Sequence, residues 1–78
     1  MTRSVFSERY ARLRTALVDS RKAAGLTQAA LGNLLGRPQS FVSKYERGER
    51  RLDVVELLDV LHCLELDACK LVRELSRP

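Results

Sequence analysis

Residues 25–48 read Gly-Leu-Thr-Gln-Ala-Ala-Leu-Gly-Asn-Leu-Leu-Gly-Arg-Pro-Gln-Ser-Phe-Val-Ser-Lys-Tyr-Glu-Arg-Gly, two short helical segments joined by a tight glycine turn. Thr27 is a favourable N-cap, and Leu26 and Leu31 stand at the spacing of a hydrophobic staple, so a helix begins at Thr27. Leu31, Leu34 and Leu35 supply its apolar stripe, and Gly36 ends it in the left-handed conformation. Gly32 lies mid-helix, where it costs roughly 1 kcal/mol relative to alanine, so it needs a packing reason such as close approach of the next helix. Pro38 suits the first turn of a second helix spanning 38–46, because its missing N–H is no loss there, and Gly48 suits the position just past its end.

At ~100° per residue, Pro38, Phe41, Val42 and Tyr45 fall on one side of the second helix, and Gln39, Ser40, Ser43, Lys44 and Arg47 on the other. The first side is core. The second holds no acid, and each of its residues can donate a hydrogen bond to a base edge or a phosphate. An ordinary solvated helix face mixes Glu and Asp with Lys. Residues 27–47 therefore read as a helix-turn-helix whose second helix fits the major groove of DNA.

Charge is distributed to match. Residues 1–51 hold eleven Lys or Arg against four acids, a balance of +7, and residues 52–78 hold three against six, a balance of −3. The basic half contains the motif, as a polyanion-binding face requires. The 78 residues amount to one domain whose core is small unless helices pack well or the chain oligomerises. No stretch reaches the ~20 apolar residues of a membrane span, and no signal segment precedes the first charges, so a cytoplasmic location with no membrane partner is expected. Cys63 and Cys69, with His62 beside the first, fall short of the four ligands of a zinc site and read as two buried thiols in a reducing cell. Neither a metal, a cofactor nor an enzymatic activity is expected, because His62 has no carboxylate, serine or cysteine arranged with it for catalysis.

The rest of the chain continues as helices. Phe6, Tyr10, Leu13 and Leu17 recur at spacings of 4, 3 and 4, predicting an amphipathic helix over about 5–24 that Gly25 stops. Arg21 extends the same stripe by one turn, and an arginine on a core face needs a partner. Glu46, at the edge of the inner face of the second motif helix, is the candidate. Asp53 and Glu56 form a capping-box start for a fourth helix whose core face is Val54, Leu57, Leu58, Leu61 and Leu64. Asp67 caps a fifth, with Ala68, Leu71, Val72 and Leu75 at helical spacing. Val55 and Val60 lie off the main stripe, and together with Val72 and Leu75 they form an apolar surplus that marks residues 53–76 as a dimerisation region.

Gly25-Leu26-Thr27-Gln28, the Leu31-Gly32 pair, Gly36, the run Gln39 to Gly48 and the later Leu-rich helix together resemble the phage-repressor-like helix-turn-helix domains of the Cro/XRE type, over roughly residues 9–66. The resemblance implies an all-α, five-helix lambda-repressor-like domain. It implies that Gln28 meets a phosphate, that Gln39, Ser40 and Lys44 read bases, and that Arg21 and Glu46 form a structural salt bridge. Arg37 stands where many members place a small capping residue, and there an arginine can reach a phosphate or a groove edge. With no room for a separate ligand or dimerisation domain, the chain looks like the short members, such as restriction-modification controllers, phage regulators and antitoxin-like regulators.

The expected protein is thus a sequence-specific transcriptional regulator binding a two-fold symmetric operator as a homodimer. Gln39, Ser40, Ser43 and Lys44 are the expected base readers, and Thr27, Gln28, Arg37, Arg47, Arg50 and Arg51 the phosphate contacts. The alternative is a protein-interaction module on the same fold, either an antitoxin masking a toxin partner or a transcription adaptor.

Overall fold

A computed structural model of the chain describes the backbone of residues 2–77 and the side chains of residues 8–77. The Phe6 side chain, expected at the head of the first apolar stripe, lies outside the described residues. Five helices follow one another with no strand among the described residues: α1 Thr2–Ala23, α2 Gln28–Leu35, α3 Gln39–Glu46, α4 Val54–Cys63 and α5 Ala68–Leu75.

Side chains at the helix starts fix three of these elements. Thr27 Oγ1 accepts the N–H of Ala30 at 3.0 Å, Asp53 accepts that of Glu56 at 2.7 Å, and Asp67 accepts that of Lys70 at 3.1 Å. Each satisfies a donor that the first helical turn leaves free. The Glu56 carboxylate reaches back to the Asp53 N–H at 3.0 Å and completes a capping box. At α3 the expected start shifts by one residue. Pro38 is the N-cap, with extended backbone at φ −66° and ψ 157°, and not the first helical residue. Its fixed φ serves either position, and its ring offers no oxygen to cap with.

The helix ends share one device. After α1 to α4, the N–H of the residue that follows a left-handed one bonds back over the last turn, as in Leu26 to Arg21 O, Arg37 to Gly32 O, Glu49 to Lys44 O and Leu66 to Leu61 O. Such a closure needs one left-handed residue. Gly25, Gly36 and Gly48 supply it three times, and Glu65, at φ 57°, the fourth. Gly32 has a different task. A Cβ there would lie 2.8 Å from the carbonyl oxygen of Arg37, so the turn itself, and not a more distant helix, demands the glycine.

α2 packs most extensively on α3, with α1 against α3 and α5 and α4 against α2. The core between them is Leu17, Leu31, Phe41, Val42, Tyr45, Val60, Leu61, Leu64 and Leu71. Phe41 and Tyr45 meet edge to face with ring centroids 5.6 Å apart, the arrangement that aromatic quadrupoles favour. The Tyr45 hydroxyl has no partner among the described residues, and burial pushes its phenol up from the ordinary value.

Several expectations about apolar faces are corrected here, and Pro38, expected on the core side of α3, is exposed. Leu34 is exposed on α2, and Val54 and Leu58 are exposed on α4. Val60, expected on a dimer face, is fully buried. The core side of α4 is rotated about 50° from the expected stripe, which brings Val60 inward, turns Val54 and Leu58 outward and leaves Val55 exposed as expected. Leu75 is half-buried and packs on the core, whereas Val72 is exposed. No described helix is long and apolar enough to cross a membrane, and no described group of His, Cys, Asp or Glu could hold a metal ion.

Candidate nucleic-acid interface

The tight turn from Gly36 to Pro38 and the burial of Phe41, Val42 and Tyr45 fix the rotation of α3 about its own axis. Gln39, Ser40 and Lys44 are then exposed and Ser43 half-exposed on the opposite side. With Arg47 at the end of the helix they form a hydrogen-bonding face that contains no carboxylate. Thr27 is exposed at the start of α2, but its oxygen is already committed to its cap. Gln28 is half-buried beside it.

Beneath this face lies an ionic core. Arg21 Nε donates to Glu46 Oε2 at 2.7 Å and its Nη2 to Oε1 at 3.1 Å, a two-pronged match of guanidinium and carboxylate. The two side chains are only 10% and 6% exposed, so the pair must satisfy itself internally. Arg21 Nη1 donates to the Leu26 carbonyl at 2.8 Å, and the Gln28 amide donates to Glu46 Oε1 at 2.9 Å. The hydrogen bonds to Glu46 hold the Arg21 pKa above its ordinary value against the opposing effect of burial. Gln39 in turn donates from its amide to Gln28 Oε1 at 3.4 Å. A continuous polar chain thus runs from α1 through the interior to the exposed start of α3.

The four arginines expected to contact phosphates are each engaged within the protein. Arg50 grips Glu56 with two bonds of 2.9 and 2.7 Å, and Arg37 reaches the same carboxylate at 3.2 Å. Both guanidinium groups lie over the Phe41 ring, 4.4 Å from its centroid for Arg37 and 4.7 Å for Arg50, within the range of cation–π attraction. Arg50 foremost, then the Asp53 N–H and Arg37, hold the Glu56 carboxyl well below its ordinary range, at about 2. Arg47 is bonded to Glu49 at 2.9 and 3.1 Å, and Arg51 lies 4.2 Å from the Tyr10 ring centroid.

Two participants have no counterpart among the expected site residues. Glu56 is one, because the sequence shows it as a cap and gives no sign that two arginines share it. Arg14 is the other. It donates to the Glu46 carbonyl at 3.1 Å and stands two helical turns before Arg21 on the same face of α1, a spacing that could have flagged it.

A family model described as a helix-turn-helix domain matches residues 11–73. Among solved structures, the chain is similar to an XRE-family like protein from Pseudomonas syringae pv. tomato str. DC3000, with 46% identity, a TM-score of 0.90, and coverage of 95% of this chain and 90% of that one. Comparison with the curated proteins gave no match. The family match takes in α2 and α3 whole, together with the arginines and carboxylates around them. The chain belongs to the Cro/XRE-type helix-turn-helix family of DNA-binding regulators.

Proposed function

We propose that this protein is a sequence-specific transcriptional regulator that binds a two-fold symmetric operator as a homodimer, needs no cofactor and works in the cytoplasm. The observation that carries this reading is the acid-free face of α3, where Gln39, Ser40 and Lys44 are exposed while Phe41, Val42 and Tyr45 anchor the opposite side. A helix held this way can enter the major groove without turning its core side to water. Lys44, Gln39, Ser40 and Ser43 read base edges. Arg47, Arg50, Arg51, Arg37, Gln28 and the start of α2 at Thr27 position the duplex through phosphates. Arg37 and Arg50 exchange the Glu56 carboxylate for a phosphate when they do so, and Arg47 exchanges Glu49.

Selection of bound sequences from a random DNA pool tests specificity and half-site symmetry together. The expected outcome is an inverted repeat. Lys44→Ala should then relax preference at one base pair in each half-site and weaken cognate binding by about 1–3 kcal/mol. Equal losses on cognate and random duplexes would remove Lys44 from the base readers. Absence of any enriched sequence would favour the protein-interaction reading instead.

A further inference from the structure

Between α1 and the segment leaving α3, the side chains of Tyr10, Arg14, Arg47 and Arg51 enclose a shallow concavity floored by Gly48. Three of these five residues are arginines, and none is an acid. Arg14 spends Nη1 on the Glu46 carbonyl at 3.1 Å, while its Nε is buried without an acceptor among the described residues. A buried donor left unpaired is costly, so the Arg14 guanidinium holds hydrogen-bonding capacity that the described residues do not use. Gly48 makes the arrangement possible. It sits at φ +79°, and a Cβ there would come 3.0 Å from Arg14 Cζ and 3.2 Å from Nε and Nη1, so the guanidinium lies flat against bare backbone. Tyr10 closes the opposite wall. Its ring carries Arg51, and its hydroxyl oxygen accepts the Leu52 N–H at 3.3 Å, which leaves its own proton available to donate.

We propose that Arg14 joins Arg47 and Arg51, already expected to meet phosphates, in a clamp for one phosphodiester group of the duplex, apart from the Arg37, Arg50 and Glu56 cluster. Three guanidinium groups lining one concavity suit an oxyanion with several acceptor oxygens, once Arg47 exchanges the Glu49 carboxylate for it. The site adjoins the proposed groove, because Arg47 is one helical turn beyond Lys44. A phosphate seated there flanks the base read by Lys44. The clamp rests on the proposed DNA-binding function and adds α1 to the surface that holds the backbone.

The test is fluorescence anisotropy of the full chain with a selected duplex and a random-sequence duplex across a salt series. Arg14→Gln should weaken both duplexes by a similar factor, about tenfold, and lower the slope of log affinity against log salt by about one per subunit. Arg51→Gln, at an exposed position, should do the same, and it serves if Arg14→Gln melts early by circular dichroism. Because both hold the same phosphate, the double variant should lose about one unit of slope and not two. Wild-type affinity and slope in a folded variant, with the wild type binding DNA normally, would overturn the clamp alone. A wild type that binds no duplex would overturn the functional reading and the clamp with it. Inorganic phosphate titrated without DNA distinguishes a free anion: saturation of the Arg14 Nε–H resonance below millimolar, with DNA binding insensitive to Arg14→Gln, would reassign the site away from the duplex.

Discussion

Glu56 shows how much one side chain organises. It caps α4, holds Arg50 by two bonds and Arg37 by a third, and through them places two cations over Phe41. Its carboxyl is depressed from 4.5 to about 2, so the charged form is favoured by folding. That contribution is complete above the unfolded value and is lost as pH falls from about 4.5 through about 2. Glu56→Gln should therefore melt at a lower temperature than wild type at pH 7, and the gap should close as both are acidified to pH 2. A gap independent of pH would mean that the substitution perturbs the packing or geometry of the cap, and that the Glu56 charge does not account for the difference.

At the scale of elements, the helices were legible where caps and turns announce themselves. Thr27, Asp53 and Asp67 name their helices because few other residues satisfy the first turn. The Arg21 and Glu46 contact was legible too, since a charge on an apolar stripe needs a partner. The face of α4 was not. Seven of its ten residues are apolar, so several rotations bury comparable area, and only packing against α2 chooses among them. The ion pairs of Glu56, read from the sequence only as a cap, and the contact of Arg14 were missed for a related reason: their partners lie outside the helix that carries them, where periodicity gives no guide. The closure after α4 offers a sharper measurement. Glu65 is exposed and left-handed, whereas the other three closures use glycine. Glu65→Gly should raise stability by about 0.5–1 kcal/mol in urea unfolding, relieving backbone strain without loss of packing. An unchanged or lower midpoint would show that the Glu65 side chain contributes a contact of its own.

For the whole molecule, the outward position of Val54, Val55 and Leu58 leaves α4 with an apolar side that the fold does not cover, at 71%, 67% and 48% exposure. The proposed dimer uses this side together with Val72, with Val60 withdrawn into the core. Two recognition helices would then lie ~34 Å apart on one face of the duplex. Val55→Asp should leave the helix content intact, shift sedimentation at micromolar concentration from dimer to monomer, and abolish cooperative binding to the full operator while a half-site is still bound weakly. A variant that remains dimeric would place the interface elsewhere.

The hydrogen-bond chain from Glu46 to Gln39 also carries direction. A carboxylate can only accept, so the Gln28 amide must turn its NH2 inward and its oxygen outward. That oxygen accepts one N–H of Gln39, which leaves the carbonyl and second N–H of this exposed side chain available to a partner. Shape alone does not distinguish the two ends of a glutamine amide, yet here the interior decides which end is which. On the proposed function, Gln39 then meets the groove as a polarised template, an acceptor beside a donor, complementary to the N6 and N7 edge of adenine. On that reading, one letter of the operator would be spelled by a buried carboxylate that never touches DNA.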